Sequence, residues 1–167
     1  MRKAAFAPVV DADTRLLILG SLPGDASLKA QQYYGHPRNG FWRLLSPVVR
    51  RDLAALSYPE RLGVLQAAGV GLWDVIASAR RPGSLDAAIR EAEAADLRRL
   101  IAQLPALRAV AFNGGTAARI GRRLLGDPVM PVLIDLPSSS PAYTLPFAAK
   151  AERWTALGSW LAVDAAS

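Results

Sequence analysis

The stretch LLILGSLPG, residues 16–24, decides the fold. Its first four residues form a continuous apolar run that ends at Gly20. Such a run, without alternating polar residues, is typical of a strand buried on both faces of a parallel sheet. Gly20 and Gly24 allow tight turns and a close approach of the backbone to a ligand, and Pro23 stiffens the segment between them. The stretch therefore predicts a buried strand followed either by a ligand-binding loop or by an ordinary turn into a helix.

Three further apolar runs predict strands near Val70–Val75, Leu107–Phe112 and Val129–Leu136. Because helical patterns separate these runs, the chain is expected to form a three-layer αβα sandwich with a four-stranded, mainly parallel sheet. No repeat or long linker divides the chain, and its 167 residues suit one hydrophobic core. We therefore expect residues 1–167 to form a single domain.

Apolar residues at helical spacing predict the helices between these strands. Pro47 is expected to kink the first of them or to begin a second helix capped by Ser46. Asp96 is expected to N-cap a helix that ends before Pro105. The predicted helices are Phe41–Val49, Pro59–Ala67, one that begins after Asp96, one that follows Gly114-Gly115, and a final one that carries Phe147, Trp154, Leu157 and Leu161.

The composition limits the chemistry. The chain has no cysteine and a single histidine, His36, which excludes disulfides, iron–sulfur clusters, and Cys-type or His-rich metal sites. A formal charge of +6, carried by 17 Arg and 3 Lys, suits an anionic partner, although a GC-rich genome would give a similar composition. No apolar stretch approaches the roughly 20 residues of a membrane span, and the N-terminus makes a poor secretory signal. We therefore expect a cytoplasmic protein with no membrane partner and no metal.

Unusual segments follow each predicted strand. GSLPG follows the first strand, WDV ends the second, FNGG follows the third, and PSSSPAYTLP (residues 137–146, the serine loop) follows the fourth. In open α/β sheets, ligands bind outside the carboxyl ends of the strands. We therefore expect these segments to converge on one cleft.

The segment QQYYGHPRNGFW, residues 31–42, concentrates scarce polar and aromatic side chains. It holds Asn39, one of only two asparagines; the other is Asn113. An amide suits the edge of a nucleobase or the positioning of a water, but both asparagines precede glycine, and Asn-Gly is also a strong turn signal. His36 suits a general acid, a charge stabiliser or a structural role, and no catalytic triad can be built around it. The aromatic side chains can stack on a base or pack into the core, and they are Tyr33, Tyr34, Phe41 and Trp42.

The serine loop is small, polar and stiffened by proline. Its backbone N–H groups and hydroxyls can bind phosphates, and Tyr143 or Leu145 can wedge into a base stack, although a merely solvated loop is the alternative. Arg38 is the preferred phosphate ligand because it lies within the crowded segment, whereas Arg122 and Arg123 are most simply a solvated helix face. The candidates for a basic rim are Arg38, Arg43, Arg80, Arg81, Arg119, Arg122 and Arg123.

Taken together, LILGSLPGDASLKAQQYYGHPRNGFW, GLWDV, GSLDAAI, FNGGTA and LPSSSPAY, in this order, resemble the hypoxanthine-DNA glycosylase branch of the uracil-DNA glycosylase superfamily over residues 15–143. The resemblance implies the same αβα sandwich and a monofunctional enzyme that flips a deaminated nucleotide, hypoxanthine first, out of damaged DNA and hydrolyses its N-glycosidic bond. It implies no metal and no cofactor, and we expect a monomer. The alternatives are a mismatch-type uracil-DNA glycosylase and a catalytically inactive nucleic-acid-binding domain.

The resemblance also implies roles for particular residues. Related branches with GxNPG or GxDPY have a water-activating Asn or Asp in the first motif, where this chain has Leu22. The asparagine of HPRN maps onto Asn39, the candidate catalytic residue, which would hold the water; Asp74 is the acidic alternative. Backbone amides of residues 21–24 and the side chain of Asn113 are candidate donors to the leaving base. The candidate base-binding residues are Gly20, Ser21, Leu22, Pro23, Gly24, Tyr34, His36, Phe41, Trp73, Asp74 and Asn113, and the candidate DNA-binding residues are Arg38, Ser138, Ser139, Ser140, Pro141 and Tyr143.

Overall fold

The computed structural model describes residues 2–4, 6–80, 90–128 and 130–161. Within these residues, the short 3₁₀ helices Leu53–Ala55 and Ala156–Trp160 accompany the main elements. In chain order those elements are β1 (Arg2–Ala4), β2 (Leu16–Gly20), α1 (Asp25–Ala30), α2 (Phe41–Val49), α3 (Tyr58–Ala68), β3 (Val70–Asp74), β4 (Ile76–Arg80), β5 (Arg90–Ala94), α4 (Leu97–Ala102), β6 (Ala109–Asn113), α5 (Gly115–Leu125), β7 (Val132–Leu136) and α6 (Phe147–Thr155).

Four of the strands form the predicted parallel sheet. Their order is β3-β2-β6-β7, and all three pairings are parallel. Gly20 lies opposite Asp74, and Asn113 lies opposite Leu136. The carboxyl ends of the four strands therefore meet at one edge, which we call the carboxyl edge, and the predicted fold class is confirmed.

Helices cover both faces of this sheet. On one face, Leu16 and Ile18 of β2 pack in a core with side chains from α2, α3 and α6, including the fully buried Trp154. On the other face, Leu17 and Leu19 pack with side chains from α4 and α5. The continuous apolar run of β2 follows from this arrangement, because both faces of the strand are buried.

Several predicted boundaries shift by one to three residues. α3 begins one residue before the predicted helix and ends one residue after it, while β6 begins and ends later than predicted. β7 begins at Val132, directly after Pro131, whose ring nitrogen cannot donate to a sheet ladder. Val129, the predicted first residue of that strand, lies outside the described residues.

Pro47 does not start a second helix. α2 continues from Phe41 to Val49 with Pro47 inside it, so the predicted helix capped by Ser46 is wrong. The Ser46 hydroxyl donates instead to the Trp42 carbonyl at 2.7 Å and accepts from the Leu53 N–H at 3.0 Å. Ser46 thereby ties the last turns of α2 to the following 3₁₀ helix.

A small antiparallel sheet was not predicted from the sequence. It has the strand order β1-β4-β5. β4 follows β3 after the single residue Val75, without a glycine or proline to mark the change. The chain turns there because the N–H groups of Val75 and Ile76 donate to the carbonyls of Gly20 and Ser21. The motif GSLDAAI (residues 83–89) lies outside the described residues.

No helix in the described ranges combines the length and the apolar character needed to cross a membrane.

Candidate active site at the carboxyl edge

The end of β2 brings Gly20 against two polar side chains. A Cβ atom on Gly20 would lie 2.7 Å from Oδ1 of Asp74 and 2.9 Å from the hydroxyl oxygen of Tyr34. Glycine is therefore what allows both side chains to approach the strand end. Asp74 is 3% exposed, and it is the only buried carboxylate among the residues whose burial is described.

Leu22 in the GSLPG loop is a core residue. It is 6% exposed and belongs to the apolar cluster that contains Leu17 and Val75. An apolar side chain in such a place neither binds nor polarises a water, so any water must be positioned from elsewhere at this edge. Ser21 and Pro23 are also buried, and the role of residues 21–24 as backbone donors to a base stays a prediction.

The segment HPRN forms a tight turn in front of α2. The backbone N–H of Asn39 donates to the His36 carbonyl at 3.0 Å, and the backbone N–H of Arg38 donates to Nδ1 of His36 at 3.1 Å. Because Nδ1 of His36 accepts that bond, the neutral ring has its proton on Nε2. One nitrogen of His36 is therefore used to hold the turn that presents Asn39.

The side-chain amide of Asn39 is oriented by the start of α2. Its Oδ1 accepts the Phe41 N–H at 3.0 Å, which satisfies one of the unpaired donors at a helix N-terminus. In the described ranges, Nδ2 of Asn39 has no acceptor. The amide is thus fixed by one end while its donor end remains available to a ligand.

Asn113 joins the end of β6 to the serine loop. Its Nδ2 donates to Oγ of Ser139, and its Oδ1 accepts the Ser139 N–H, both at 2.9 Å. Asn113 and Ser139 are both buried, and the Ser139 carbonyl accepts the Gly40 N–H at 3.0 Å. These contacts bring β6, the serine loop and the HPRN turn together, as expected for one cleft. The predicted contact of Asn113 with a base stays a prediction.

Most of the predicted aromatic residues lie in the core. Phe41 is fully buried, and the Tyr34 ring stacks on it with centroids 3.7 Å apart and planes inclined by 14°. The Trp73 indole N–H donates to the Phe6 carbonyl at 3.0 Å. Phe41 therefore cannot meet a base unless Tyr34 moves, and the half-buried Tyr34 is the predicted aromatic that lies beside Gly20.

The phenol of Tyr33 is buried and holds a backbone carbonyl. Burial raises the pKa of Tyr33 far above its usual range, and the negative charge of Asp74 raises it further. Its hydroxyl consequently stays protonated and donates to the Ala7 carbonyl at 3.1 Å. Tyr33 is thus a structural donor.

A groove of about 350 Å³ lies between the HPRN turn and the serine loop, and we call it the cationic groove. It contains three basic side chains and no carboxylate among its lining residues. Three large apolar side chains, Tyr143, Leu145 and Phe147, are 49%, 37% and 44% exposed there. The basic residues of the groove are Arg38, Arg43 and Lys150.

The serine loop is folded by its own hydroxyls. Oγ of Ser138 accepts the Ser140 N–H at 3.1 Å, and Oγ of Ser140 accepts the Ala142 N–H at 3.2 Å. Pro141 and Tyr143 face the cationic groove. The residues predicted to bind DNA are therefore grouped around this groove, and their contact with DNA stays a prediction.

Sequence reasoning did not single out Lys150, nor the part that Phe147 plays in this groove. Nζ of Lys150 donates to the Ser140 carbonyl at 3.0 Å, and the Arg43 guanidinium lies 5.0 Å from the centre of the Phe147 ring. A weak signal existed, because Lys150 is one of only 3 lysines among 20 basic residues. That count does not reveal that its ammonium reaches the serine loop.

The other candidates for a basic rim that the structure describes do not line this groove. Arg122 forms an exposed ion pair of 3.0 Å with Asp135, and Arg119 and Arg123 are exposed on the same helix, α5. Arg80 ends β4, and Arg81 lies outside the described residues. Within the described ranges, no three His, Cys, Asp or Glu side chains lie close enough together to hold a metal ion.

Comparisons with known proteins identify the family of the chain. The family model of the uracil DNA glycosylase superfamily matches residues 7–158. A relative from Methanosarcina barkeri described as hypoxanthine DNA glycosylase is 46% identical over 114 residues, which are 68% of this chain and 72% of the relative. A second, from Methanosarcina acetivorans and described in the same words, is 41% identical over 126 residues, which are 75% of this chain and 80% of the relative.

A solved structure extends the similarity to nearly the whole chain. A solution NMR structure from Methanosarcina acetivorans, provisionally described as a uracil DNA glycosylase, superposes with a TM-score of 0.85 at 38% identity. The match covers 96% of this chain and 99% of that one. The chain therefore belongs to the uracil DNA glycosylase superfamily.

Proposed function

We propose that this protein is a monofunctional DNA glycosylase that hydrolyses the N-glycosidic bond of a deaminated nucleotide, with hypoxanthine as the preferred base. The name of the two curated relatives, hypoxanthine DNA glycosylase, supports that base. The observation that carries the proposal is the Asn39 amide, which is fixed at the start of α2 and linked through Gly40 and Ser139 to the serine loop. The chain thus presents an oriented amide at the carboxyl edge, although Leu22 stands where the first motif of related branches has a polar residue.

In the proposed mechanism, Asn39 positions the water. Departure of the base leaves an oxocarbenium-like sugar, which is reactive enough to be attacked by a neutral water held in place. Oδ1 of Asn39 accepts one hydrogen bond from Phe41, and its second lone pair can accept a hydrogen of the water. A water bound in this way directs an oxygen lone pair away from Asn39 and towards the sugar. Asn39 would therefore act by position, and the proton that the water loses as the new C–O bond forms would pass, directly or through solvent, to the departing base anion.

The leaving base departs as an anion, and the carboxyl edge suits negative charge. α2 and α5 both begin there, so the positive ends of two helix dipoles are directed at this edge. Backbone amides of residues 21–24 are the proposed donors to the leaving base. Helix dipoles and fixed amides lower the barrier most when they need not reorganise during the reaction.

Asp74 is the proposed contact that distinguishes a deaminated base from the adenine or cytosine from which it forms. Deamination of adenine or cytosine converts a ring nitrogen from an acceptor into an N–H donor. A carboxylate accepts such an N–H and repels the unmodified acceptor nitrogen. Asp74, buried beside Gly20, is the acceptor of this kind at the end of β3.

The experiment is a base-release panel. Purified protein is incubated, with EDTA present, with duplexes that contain deoxyinosine, deoxyuridine opposite guanine, or deoxyxanthosine, and abasic sites are detected by alkaline cleavage. We expect the duplex that contains deoxyinosine to be cleaved fastest. An undamaged duplex should not be cleaved. Salt-sensitive binding without base release from any duplex would instead identify an inactive DNA-binding domain.

Uracil is the second candidate base. The family description and the description of the matched NMR structure both name uracil DNA glycosylase. A faster release of uracil than of hypoxanthine in the same panel would assign that specificity. The proposal further includes a single domain over residues 1–167 and a monomeric, cytoplasmic enzyme that uses no metal and no cofactor.

A further inference from the structure

Lys150 lies beneath the serine loop, on the first turn of α6. Its side chain is 6% exposed. Nζ donates to the Ser140 carbonyl at 3.0 Å and lies 5.4 Å from the centre of the Tyr143 ring. The ammonium therefore contacts the loop at two points, a backbone carbonyl and an aromatic face, and both contacts require the positive charge for their full strength.

The surroundings of Lys150 do not compensate its charge. Burial lowers the pKa of Lys150 from its ordinary value. Arg38 and Arg43 line the same groove, and no carboxylate does. No ion pair joins Lys150 to an acidic residue in the described ranges. A desolvated ammonium without a carboxylate partner is unfavourable for folding.

Stability alone does not account for a lysine at this position. The Ser140 carbonyl also accepts the Tyr143 N–H at 3.1 Å, so it would remain hydrogen-bonded if Lys150 were replaced. An apolar side chain of similar length could fill the same space without burying a charge. The lysine therefore calls for a functional explanation.

We propose that Lys150 is a positioning residue, whose ammonium holds the Ser140 carbonyl and the Tyr143 ring so that the serine loop is fixed in the conformation that binds a phosphodiester strand. The inference rests on the proposed function, because that function supplies the strand. Phosphates in the cationic groove would bring the negative charge that the groove lacks, and Lys150 would be favoured in its charged form when DNA is bound.

The pH dependence follows from the burial of the ammonium. Arg38, Arg43 and Tyr143 line the same groove, which no carboxylate lines. Because burial lowers its pKa, Lys150 loses its proton below the ordinary lysine pKa of 10.5. Once it is neutral, the charge-assisted contacts with the loop are lost. DNA affinity should accordingly fall as the pH rises towards 10.5.

The effect on folding has the opposite sign. Because the folded pKa lies below the unfolded one, the unfolded chain binds more protons between these two values, and the free energy of unfolding gained from this group rises with pH across that window. At neutral pH, the desolvation of the Lys150 ammonium thus opposes folding. DNA affinity and the free energy of unfolding are therefore expected to change in opposite directions as the pH rises. A lysine with a purely structural role would not show this difference.

The test measures the affinity of Lys150→Met for a duplex that contains a non-hydrolysable 2′-fluorinated deoxyinosine. We expect the Kd to rise about tenfold, which corresponds to about 1.4 kcal/mol, while the melting temperature stays unchanged or rises. The single-turnover rate at saturating enzyme should change by less than about twofold, because the reacting groups are untouched. The matched control is Lys29→Met, which removes the same charge from an exposed position at the end of α1 and should leave the Kd nearly unchanged.

Two results would overturn the inference. One is an unchanged Kd for Lys150→Met. The other is a higher Kd accompanied by a clearly lower melting temperature, which would indicate a merely structural role. The wild-type pH profile is an independent measurement: affinity should fall more steeply at alkaline pH in the wild type than in Lys150→Met, and parallel profiles would contradict the inference. The results that decide the inference are affinities and melting temperatures, so a protein that binds DNA without releasing a base would refute the proposed function and still leave this inference testable.

Discussion

Two Asn-Gly pairs lie at the same edge of the parallel sheet and use their side chains differently. Asn113 is buried, and both ends of its amide bond to Ser139. Asn39 is half-buried, and among the described residues only the Oδ1 end of its amide has a partner, the Phe41 N–H. The glycines differ as well, since Gly114 has a φ of 97° and Gly40 a φ of −81°. The same dipeptide therefore forms a structural latch at one position and presents an amide at the other.

This difference shows what an Asn-Gly signal leaves open. Asn-Gly predicts a turn at both positions, and the chain does change direction at both. The role of the side-chain amide depends on where its hydrogen-bond partner lies in the sequence. For Asn113 the partner is Ser139, which is 26 residues away. Around Asn39, the partner is a helix N–H two residues away, which occupies only one end of the amide. The buried partner Ser139 gives Asn113 a structural role. The local partner of Asn39 leaves its amide able to bind a ligand.

The largest effect on stability is expected for Asn113→Ala. The Ser139 N–H and hydroxyl would both lose their partner inside the protein, so the free energy of unfolding should fall by about 2–3 kcal/mol. Urea unfolding monitored by tryptophan fluorescence measures this change. The control is Gln66→Ala, which removes an exposed amide from α3. A loss in Asn113→Ala no greater than in this control would show that the latch does not stabilise the fold.

Gly114→Ala should have the next largest effect. Its backbone has a φ of 97°, and a Cβ would lie 3.0 Å from Cβ of Ser138, so we expect a loss of about 2 kcal/mol. In Gly40→Ala, the new Cβ would be 3.6 Å from the Phe147 ring, which is an ordinary contact, and the loss at this N-cap position should be less than about 1 kcal/mol. Equal melting temperatures of the two variants would contradict the proposed difference between the pairs.

His36→Ala should have a smaller effect than Asn113→Ala or Gly114→Ala. The variant loses the bond from the Arg38 N–H to Nδ1, which lies in an exposed turn, so we expect a cost of about 0.5–1 kcal/mol. Base release should slow only a few-fold, because the turn that holds Asn39 becomes looser while Oδ1 of Asn39 keeps its bond to Phe41. Single-turnover kinetics check this expectation, and a loss beyond about a hundredfold would instead give His36 a direct part in the chemistry.

The sequence predicted the fold well because its strongest signals are local. Leu16–Leu19 and the other apolar runs identified the four parallel strands, and the position of the polar segments after them identified the carboxyl edge. β4 and β5 were missed because β4 follows β3 after one residue, and hydrogen bonds from Val75 and Ile76 to Gly20 and Ser21 turn the chain there. Such bonds join distant segments and leave no local pattern.

The same limit applies to the candidate site. Asn39 could be selected from its segment and from a family resemblance, but its contact with Phe41 and the contrast with Asn113 required coordinates. Phe41 could be expected to meet a base from its position alone, whereas the structure places it under Tyr34. Lys150 was overlooked because burial and a carbonyl contact with Ser140 set it apart from other basic residues, and neither is encoded in its neighbours.

The most direct test of the central claim is the single-turnover rate of base release by Asn39→Ala at saturating enzyme, measured on the base that the wild type releases fastest. We predict a fall of at least about tenfold, or about 1.4 kcal/mol of barrier, because the oriented amide is removed. Loss of the Oδ1 bond to Phe41 should cost only about 1 kcal/mol of stability, so the variant remains folded during the assay. Gln66→Ala, which removes an amide from α3, should react at the wild-type rate. An Asn39→Ala rate equal to that of the wild type would contradict the account and remove Asn39 from the mechanism.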